Sequence, residues 1–373
     1  MAEKIKLKKL TDILEALAPT NNALSWDNVG LQVGDNNSWV SKILVCLDVN
    51  EKILDEAIEK GCQVIVSHHP LIFKPMKSIL NNDIRGKIII KAIKNNISIY
   101  ASHTNMDIAN GGLNDFIAQK LGLKKLRLLD VTKNKSFSKL VVFVPEEYSD
   151  IIADVMGNAG AGHIGNYSHC SFKTQGVGTF KPLEGTNPFI GHKDELENVN
   201  EIRLETIIEN EKLNYIVEEM IKAHPYEEVA YDIYPLHKEI PQNGIGRIAD
   251  VDPILTSVLI EDIKASLEIE NIRFIGDVNK NVSSIAIVNG SGAEYIQAAV
   301  KAGCDCLITG DVKYHEAQIA LELGLNVMDV GHYESEIHFI ELITEYLQKT
   351  FHEMKINAEV VGSKVFSNPF QYM

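Results

Sequence analysis

Cysteine is scarce in this 373-residue chain. The five residues, at 46, 62, 170, 304 and 306, show no paired framework and no CxxC spacing. That excludes a disulfide-stapled scaffold and points to free thiols in a reducing compartment. Positive charge is also short: Lys and Arg total 36 against 51 Asp and Glu, a net charge of −15. Such a balance argues against a phosphate backbone or an anionic membrane surface as a partner. No apolar run approaches the roughly 18 residues of a membrane span. Residues 1–9 are lysine-rich but lack the apolar core of a secretory signal. A cytoplasmic protein with no nucleic-acid and no membrane partner is expected.

What is present is ordinary globular material. Hydrophobic residues make up 45% and charged residues 23%, enough apolar matter for more than one core, and the length predicts two or three domains. The most informative stretch is Val64-Ile65-Val66-Ser67-His68-His69-Pro70. The apolar run reads as a short buried β-strand stopped by the proline. Two imidazoles therefore sit at a strand end, where α/β sheets place their ligands. Neutral imidazole is the commonest metal-binding side chain. Two surface histidines on a turn would look the same, so other stretches must decide.

Around this run the chain alternates between strand and helix. Residues 7–17 have helical apolar spacing, and 26–34 read as a loop entering a short strand, with Trp26 as a core anchor. Strand 43–49, helix 51–60 and strand 64–67 make a βαβ unit with parallel strands. Helix 84–95 and strand 97–101 follow. The latter ends in Ser102-His103-Thr104-Asn105-Met106-Asp107, and Gly111-Gly112 opens a further helix. Between 131 and 236 the order becomes β-α-β-β-α-β, that of a ferredoxin-like sandwich. The α/β alternation then resumes, ending in one long helix from 333 to about 348. The expected organisation is an α/β domain in two parts, 1–130 and 237–373, with an inserted α+β domain at 131–236.

The outer parts resemble each other. Residues 57–67 align without gaps on 299–309, and strand 43–46 falls on 285–288 at the same offset. Both next strands end in a histidine followed four residues later by a carboxylate: His103 and Asp107, His332 and Glu336. Two related α/β halves bringing strand-end ligands to one cleft are expected. They are not equivalent, because Gly310-Asp311 stands where His68-His69 stands in the first.

The candidate set is therefore His68, His69, His103, Asp107, His332 and Glu336. On a helix His332 and Glu336 are neighbours one turn apart. Mixed histidine and carboxylate ligands suit zinc, manganese or iron. There are enough of them for a pair of ions bridged by a carboxylate, as in two-metal hydrolytic sites. Asp48 and Asp311 stand at strand ends where each could orient a ligand or cap the following helix. The glycine loop 157–165 and Asn289-Gly290-Ser291-Gly292 could cradle an anion, but such loops more often serve packing. His224 has no partner identifiable from sequence.

Together these motifs resemble the Nif-three-like dinuclear-metal family, whose members are often described as GTP cyclohydrolase 1 type 2 homologues. The resemblance spans essentially the whole chain. It is carried by Trp26-Asp27-Asn28-Val29-Gly30-Leu31-Gln32, Ser67-His68-His69-Pro70, His103 to Asp107, Thr309-Gly310-Asp311 and Gly331-His332-Tyr333-Glu334-Ser335-Glu336. The insert, with Gly160 to Tyr167 and His224-Pro225-Tyr226-Glu227-Glu228, is similar to the longer bacterial members, whose middle domain is PII- or CutA-like. The resemblance implies two divalent ions per subunit, zinc first and manganese or iron next, held by His68, His69, Asp107, His332 and Glu336. Glu336 would be the bridge and His103 a nearby proton-handling group. It also implies a homohexamer with sites facing an internal cavity that admits a small-molecule substrate. The function expected is a metal-dependent hydrolase of a nucleotide-like molecule, possibly GTP. Phosphoester or amide hydrolysis, or a non-catalytic metal-binding scaffold, are the alternatives.

Overall fold

A computed structural model describes residues 5–365 and 368–371. In chain order the first part holds β1 (Ile5–Lys6), α1 (Leu7–Leu17), β2 (Gly30–Val33), β3 (Trp39–Val40), β4 (Lys42–Cys46), α2 (Glu51–Glu59), β5 (Val64–Ser67), α3 (Ile84–Lys94), β6 (Ser98–Ala101), α4 (Thr104–Ile108) and α5 (Leu113–Lys120). The middle holds β7 (Arg127–Pro145), α6 (Ser149–Asn158), β8 (Ser171–Phe180), β9 (Glu197–Glu209), α7 (Leu213–Ala223) and β10 (Tyr231–Leu255). The last part holds α8 (Thr256–Leu267), β11 (Arg273–Ile275), β12 (Asn281–Ser291), α9 (Ile296–Lys301), β13 (Cys306–Gly310), α10 (Tyr314–Glu322), β14 (Asn326–Asp329), α11 (His332–Glu336), α12 (Phe339–Glu353) and β15 (Glu359–Gly362). Two compact units result: Met1–Lys133 with Asn243–Met373, and Asn134–Gln242. The chain leaves the first unit within β7 and returns to it within β10.

The first unit is mixed α/β. One sheet runs β15-β4-β5-β6-β2, parallel except for β2. In the other, β12, β13 and β14 are parallel, flanked by antiparallel β10 and β11. Parallel strands covered on both faces carry unbroken apolar runs, and every residue of β5 and β6 is buried. Side chains of alternating direction divide between cores. Ile43, Val45, Val64 and Val66 share one core with Ile285, Ile287, Cys306 and Ile308 of the second sheet. The apolar stripes of α1, α5, α8 and α12 fill that core. Leu44 and Ile65 face a second core under α2 and α3, and Ala286 and Leu307 a third. Each fully buried Val, Leu or Ile contributes about 1.5–3 kcal/mol, so the sheets are held rigidly where their strands end.

The repeat is visible in strand register. Ile43 pairs with Val64 in the first sheet, and Ile285 with Cys306 in the second; these are the residues that the gapless alignment matches. Arg247 on β10 ties the second half to the first. Buried at 2% exposure, it forms a bidentate pair with Asp115 at 2.7 and 2.9 Å and donates to the Ala109 carbonyl at 2.7 Å.

Two expectations need correction. The helix read from 333 to 348 is two helices, α11 and α12, separated by a turn at 337–338. There the Ile340 N–H reaches back only three residues, to Ile337 O. Apolar spacing continues through the break without Gly or Pro, so periodicity could not mark it. Trp26 is not a core anchor: it is 55% exposed, because the loop carrying it lies over a cavity.

In the second unit the order is β-α-β-β-α-β, with strands arranged β8-β9-β7-β10. Central β9 is antiparallel to both β7 and β8. One face of this sheet packs Leu140, Val142 and Leu204 against Ile152 and Met156 of α6 and Ile216 and Met220 of α7. Glycine loop 157–165 serves this packing. Its Ala161 and Gly162 amides donate to the Met156 and Ile207 carbonyls, and a Cβ on Gly157 would lie 2.0 Å from the His169 ring. His224 is buried, its Nε2 3.1 Å from Phe143 O and its Nδ1 accepting the Tyr226 N–H.

Candidate metal centre

All the candidate residues lie in the first unit, just past the ends of parallel strands. His68 and His69 follow β5, His103 follows β6 and caps α4, and Asp107 lies one turn along that helix. His332 and Glu336 open and close α11 after β14. Register aligns the ends of β5 and β6 in one sheet, and packing of the second sheet on the shared core brings the end of β14 to them.

The imidazoles share one design: each Nδ1 has a fixed hydrogen-bond partner. His68 Nδ1 is 2.9 Å from Ser102 O, His69 Nδ1 2.8 Å from Asp48, His103 Nδ1 3.0 Å from Asp27, and His332 Nδ1 2.7 Å from Asp311. The Nδ1–H therefore donates, and Nε2 is left as a lone-pair donor. His69 Nε2 and His332 Nε2 stand 3.4 Å apart. Glu336 Oε2 is 2.9 Å from each of them, and Oε1 is 3.5 Å from His68 Nε2. Asp107 Oδ1 is 3.7 Å from His68 Nε2. Yet His68 Nε2 and Glu336 Oε2 are buried with no hydrogen-bond partner, because these contacts lack hydrogen-bond geometry. Buried polar atoms rarely stay unsatisfied, and nitrogen lone pairs converging on a carboxylate fit a cation between them. The donor set thus fits divalent metal.

Ligand atoms gather in two groups, each within 4.8 Å: His68, His69 and His103, and His69, His332 and Glu336. His69 is common to both. Asp107 stands beside the groups without completing a triad, held by Asn289 Nδ2 at 2.8 Å. His103, assigned from the resemblance to a proton-handling role, lies as near His68 and His69 as a ligand would.

Electrostatics show the same demand for positive charge. Burial alone would lower the His69 pKa, but the Asp48 hydrogen bond and the Glu336 carboxylate outweigh it and raise it to about 10. Burial of His332 is likewise outweighed by Glu336 and Asp311, to about 9. Burial of His68 is outweighed by the Asp107 and Glu336 charges, so its pKa rises too. Glu336, despite burial, is held well below the carboxylate range by the histidines. Asp107 is pushed up, chiefly by burial. Burial also opposes ionisation of Asp27, but its bond to His103 prevails and lowers it to about 2.

Close packing of glycines shapes the cluster. A Cβ on Gly290, where φ is +62°, would lie 2.1 Å from Glu336 Oε1. The Gly290 and Gly292 amides donate to Ser335 Oγ and Thr309 Oγ1. Asn289-Gly290-Ser291-Gly292 thus seats the carboxylate and is no anion cradle. Asp48 and Asp311 orient histidines, while Asn50 accepts the capping bond of α2. Sequence reasoning missed the roles of Asp27, Asn289 and Asn114, the last donating from Nδ2 to the Asp107 carbonyl and accepting the Asn289 N–H, each at 3.0 Å; the stretches Trp26-Asp27 and Asn289 to Gly292 held the first two without assigning those roles. A third His/Glu group, His192, Glu195 and Glu197 in the second unit, lies largely on the surface.

Above the cluster is a cavity of about 340 Å³, lined by Trp26, Phe73, Tyr295, His103, His332 and Glu336 among others. The Trp26 and Phe73 rings are 5.7 Å apart, and Trp26 meets His103 edge-on at 6.0 Å. Among the described residues no lysine or arginine lines it.

A mixed α/β protein with a buried histidine–carboxylate cluster at its strand ends is a candidate metal protein. Residues 5–369 match the family model Duf34/NIF3 (NGG1p interacting factor 3), and the chain belongs to that family. It is 42% identical over 97% of both chains to the GTP cyclohydrolase 1 type 2 homolog of Halalkalibacterium halodurans. To the Bacillus subtilis protein of the same name it is 40% identical over the full length of both. Among solved structures, a Bacillus cereus protein related to NIF3 matches all of both chains with a TM-score of 0.89 at 39% identity. Among the described residues no helix is long and apolar enough to cross a membrane.

Proposed function

We propose that the protein binds two divalent ions through His68, His69, Asp107, His332 and Glu336, and uses them to hydrolyse a small nucleotide-like molecule. The observation that carries this is the buried Glu336 carboxylate, with one oxygen toward His68 and the other between His69 and His332. A carboxylate so placed suits a bridge between two sites, with zinc the first candidate for its histidine-rich set. Bound ions would polarise a substrate oxygen and make water acidic enough to react near neutral pH. The chain's own residues do the rest. Trp26 and Phe73 offer a stacking surface for a ring, and the apolar wall of Tyr295 limits water. His103, its Nδ1 anchored on Asp27, keeps Nε2 free to move a proton. With no lysine or arginine among the described lining residues, any phosphates would be met chiefly by the ions themselves. The names of the curated relatives make a GTP cyclohydrolase-type reaction the first candidate.

In this reading the unit Asn134–Gln242 is an inserted ferredoxin-like domain, supported by its β-α-β-β-α-β order. The protein works in the cytoplasm as a homohexamer, with neither nucleic acid nor membrane as partner. The test is a substrate screen on protein of quantified metal content, covering GTP, other nucleotides, phosphoesters and cyclic amides. Chelation should abolish turnover and metal restore it. His103→Ala should keep both ions and lose about 10²–10⁴-fold in turnover. Loss of an ion in that variant would make His103 a ligand, and full activity would remove its role. No turnover by fully metallated protein on any class would favour the scaffold, for which the close histidine–carboxylate cluster alone would suffice.

A further inference from the structure

The second unit holds a cavity of its own, of about 400 Å³. Its wall is aromatic. Tyr226 stands 6.1 Å from Phe180 and 6.3 Å from Phe189, ring centre to ring centre, with the rings inclined at 60° and 53°. Phe143 adds a further ring to the lining. Inclined pairs of this kind are not stacked face to face, so the rings do not cover one another's π-faces.

Its charged groups are all of one sign. Glu201, Glu227 and Glu228 line the cavity, and among the described residues no lysine, arginine or histidine does. Glu201 Oε1 accepts the Tyr226 hydroxyl at 3.0 Å. Its other oxygen lies where β8 has Gly178, and a Cβ there would stand 2.0 Å from Oε2. Any other residue at 178 would displace the carboxylate. Glu227 accepts the Asn187 N–H at 3.0 Å, which fixes it at the rim. None of the three carboxylates has a cationic partner among the described residues. Glu201 is half-buried beside the rings, and Glu227 and Glu228 stand exposed at the rim. A cation entering the cavity would meet both π-faces and negative charge.

We propose that this cavity binds a small organic cation, of the quaternary or methylated ammonium class, against Phe180, Phe189 and Tyr226 with Glu201 as counter-charge. Aromatic faces attract such cations electrostatically and carboxylates reinforce them, whereas a phosphate or carboxylate ligand would be repelled. The site lies wholly within the second unit and is independent of the metal reading.

Isothermal titration of full-length, metal-loaded protein with choline tests it, beside the neutral isostere in which a quaternary carbon replaces the nitrogen. Choline should bind saturably, and the isostere about tenfold or more weakly. Glu201→Gln and Phe189→Ala should each weaken choline by about 3–30-fold. Gly178→Ala should weaken it as well, while metal content stays unchanged in all three. Equal binding of choline and isostere would reduce the cavity to an apolar hole. Absence of choline binding, or binding indifferent to Glu201→Gln and Phe189→Ala in folded protein, would overturn the proposal.

Discussion

At the end of β5 the chain carries Ser67, His68 and His69; at the matching end of β13 it carries Thr309, Gly310 and Asp311. The strands share register and core, yet these ends do opposite work. The first half turns two imidazoles into the site. In the second, a Cβ at Gly310 would lie 2.7 Å from His332 N and 2.8 Å from Gly290 O, so backbone fills the space that side chains occupy opposite. Asp311, at φ 56°, turns its carboxylate onto His332 Nδ1. The first half brings two adjacent imidazoles and the second brings close backbone, with Glu336 and His332 reaching across. Duplicated strands thus provide a common edge, and divergence of the loops divides the labour.

The largest test of this division is Glu336→Ala. With the carboxylate that faces both groups removed, both ions should be lost, read by elemental analysis after repletion against two per subunit in the parent. Two tightly held ions in the variant would sink the bridging assignment and leave each half its own site.

A smaller effect separates the orienting groups. Asp48→Asn and Asp311→Asn keep the shape but weaken the hold on His69 and His332, and each should reduce metal affinity by about 10–100-fold. If the halves share one centre, chelator competition should show similar losses for both variants. A loss confined to one of two resolved binding steps would assign that histidine to a single ion.

The smallest effect is on stability of the metal-free protein. His69 and His332 have folded values near 10 and 9, above the ordinary value of 6.5. Their contribution is therefore fully present below about pH 6.5 and lost as pH rises through 9 to 10. Thermal unfolding midpoints of metal-free protein should fall across that window, and less so in Glu336→Gln. Metal binding at pH 7 should release about two protons, since both rings must be deprotonated to ligate; calorimetry in buffers of different ionisation enthalpy would detect it. A pH-independent midpoint and no proton release would mean that the cluster does not hold the histidines protonated.

Much of this was legible in the chain itself. Apolar runs located β4, β5, β6, β13 and β14, with Gly or Pro marking the bounds of β5, β13 and β14. The helix-and-strand match of 57–67 with 299–309 anticipated the equal registers, because identical spacing of buried residues demands identical pairing. Histidines immediately after such runs had to lie at a strand edge, so the candidate residues could be named before any coordinates. Local pattern was silent where distant segments meet. The break between α11 and α12 leaves the apolar period intact. Trp26 reads as a core residue anywhere, and only packing of its loop over the cavity exposes it. The bonds from Asp27, Asp48 and Asp311 to their histidines span 76, 21 and 21 residues, and no periodicity encodes such distances.

Sequence by itself named the residues that cluster and the strands that present them, because side-chain type and alternation are local properties. Tertiary structure alone decided which nitrogen of each ring is free, which oxygen of Glu336 faces which histidine, and that Gly290 and Gly310 must stay bare. Those are set by contacts between strand ends far apart in the chain, which exist only once the two sheets have closed on their shared core.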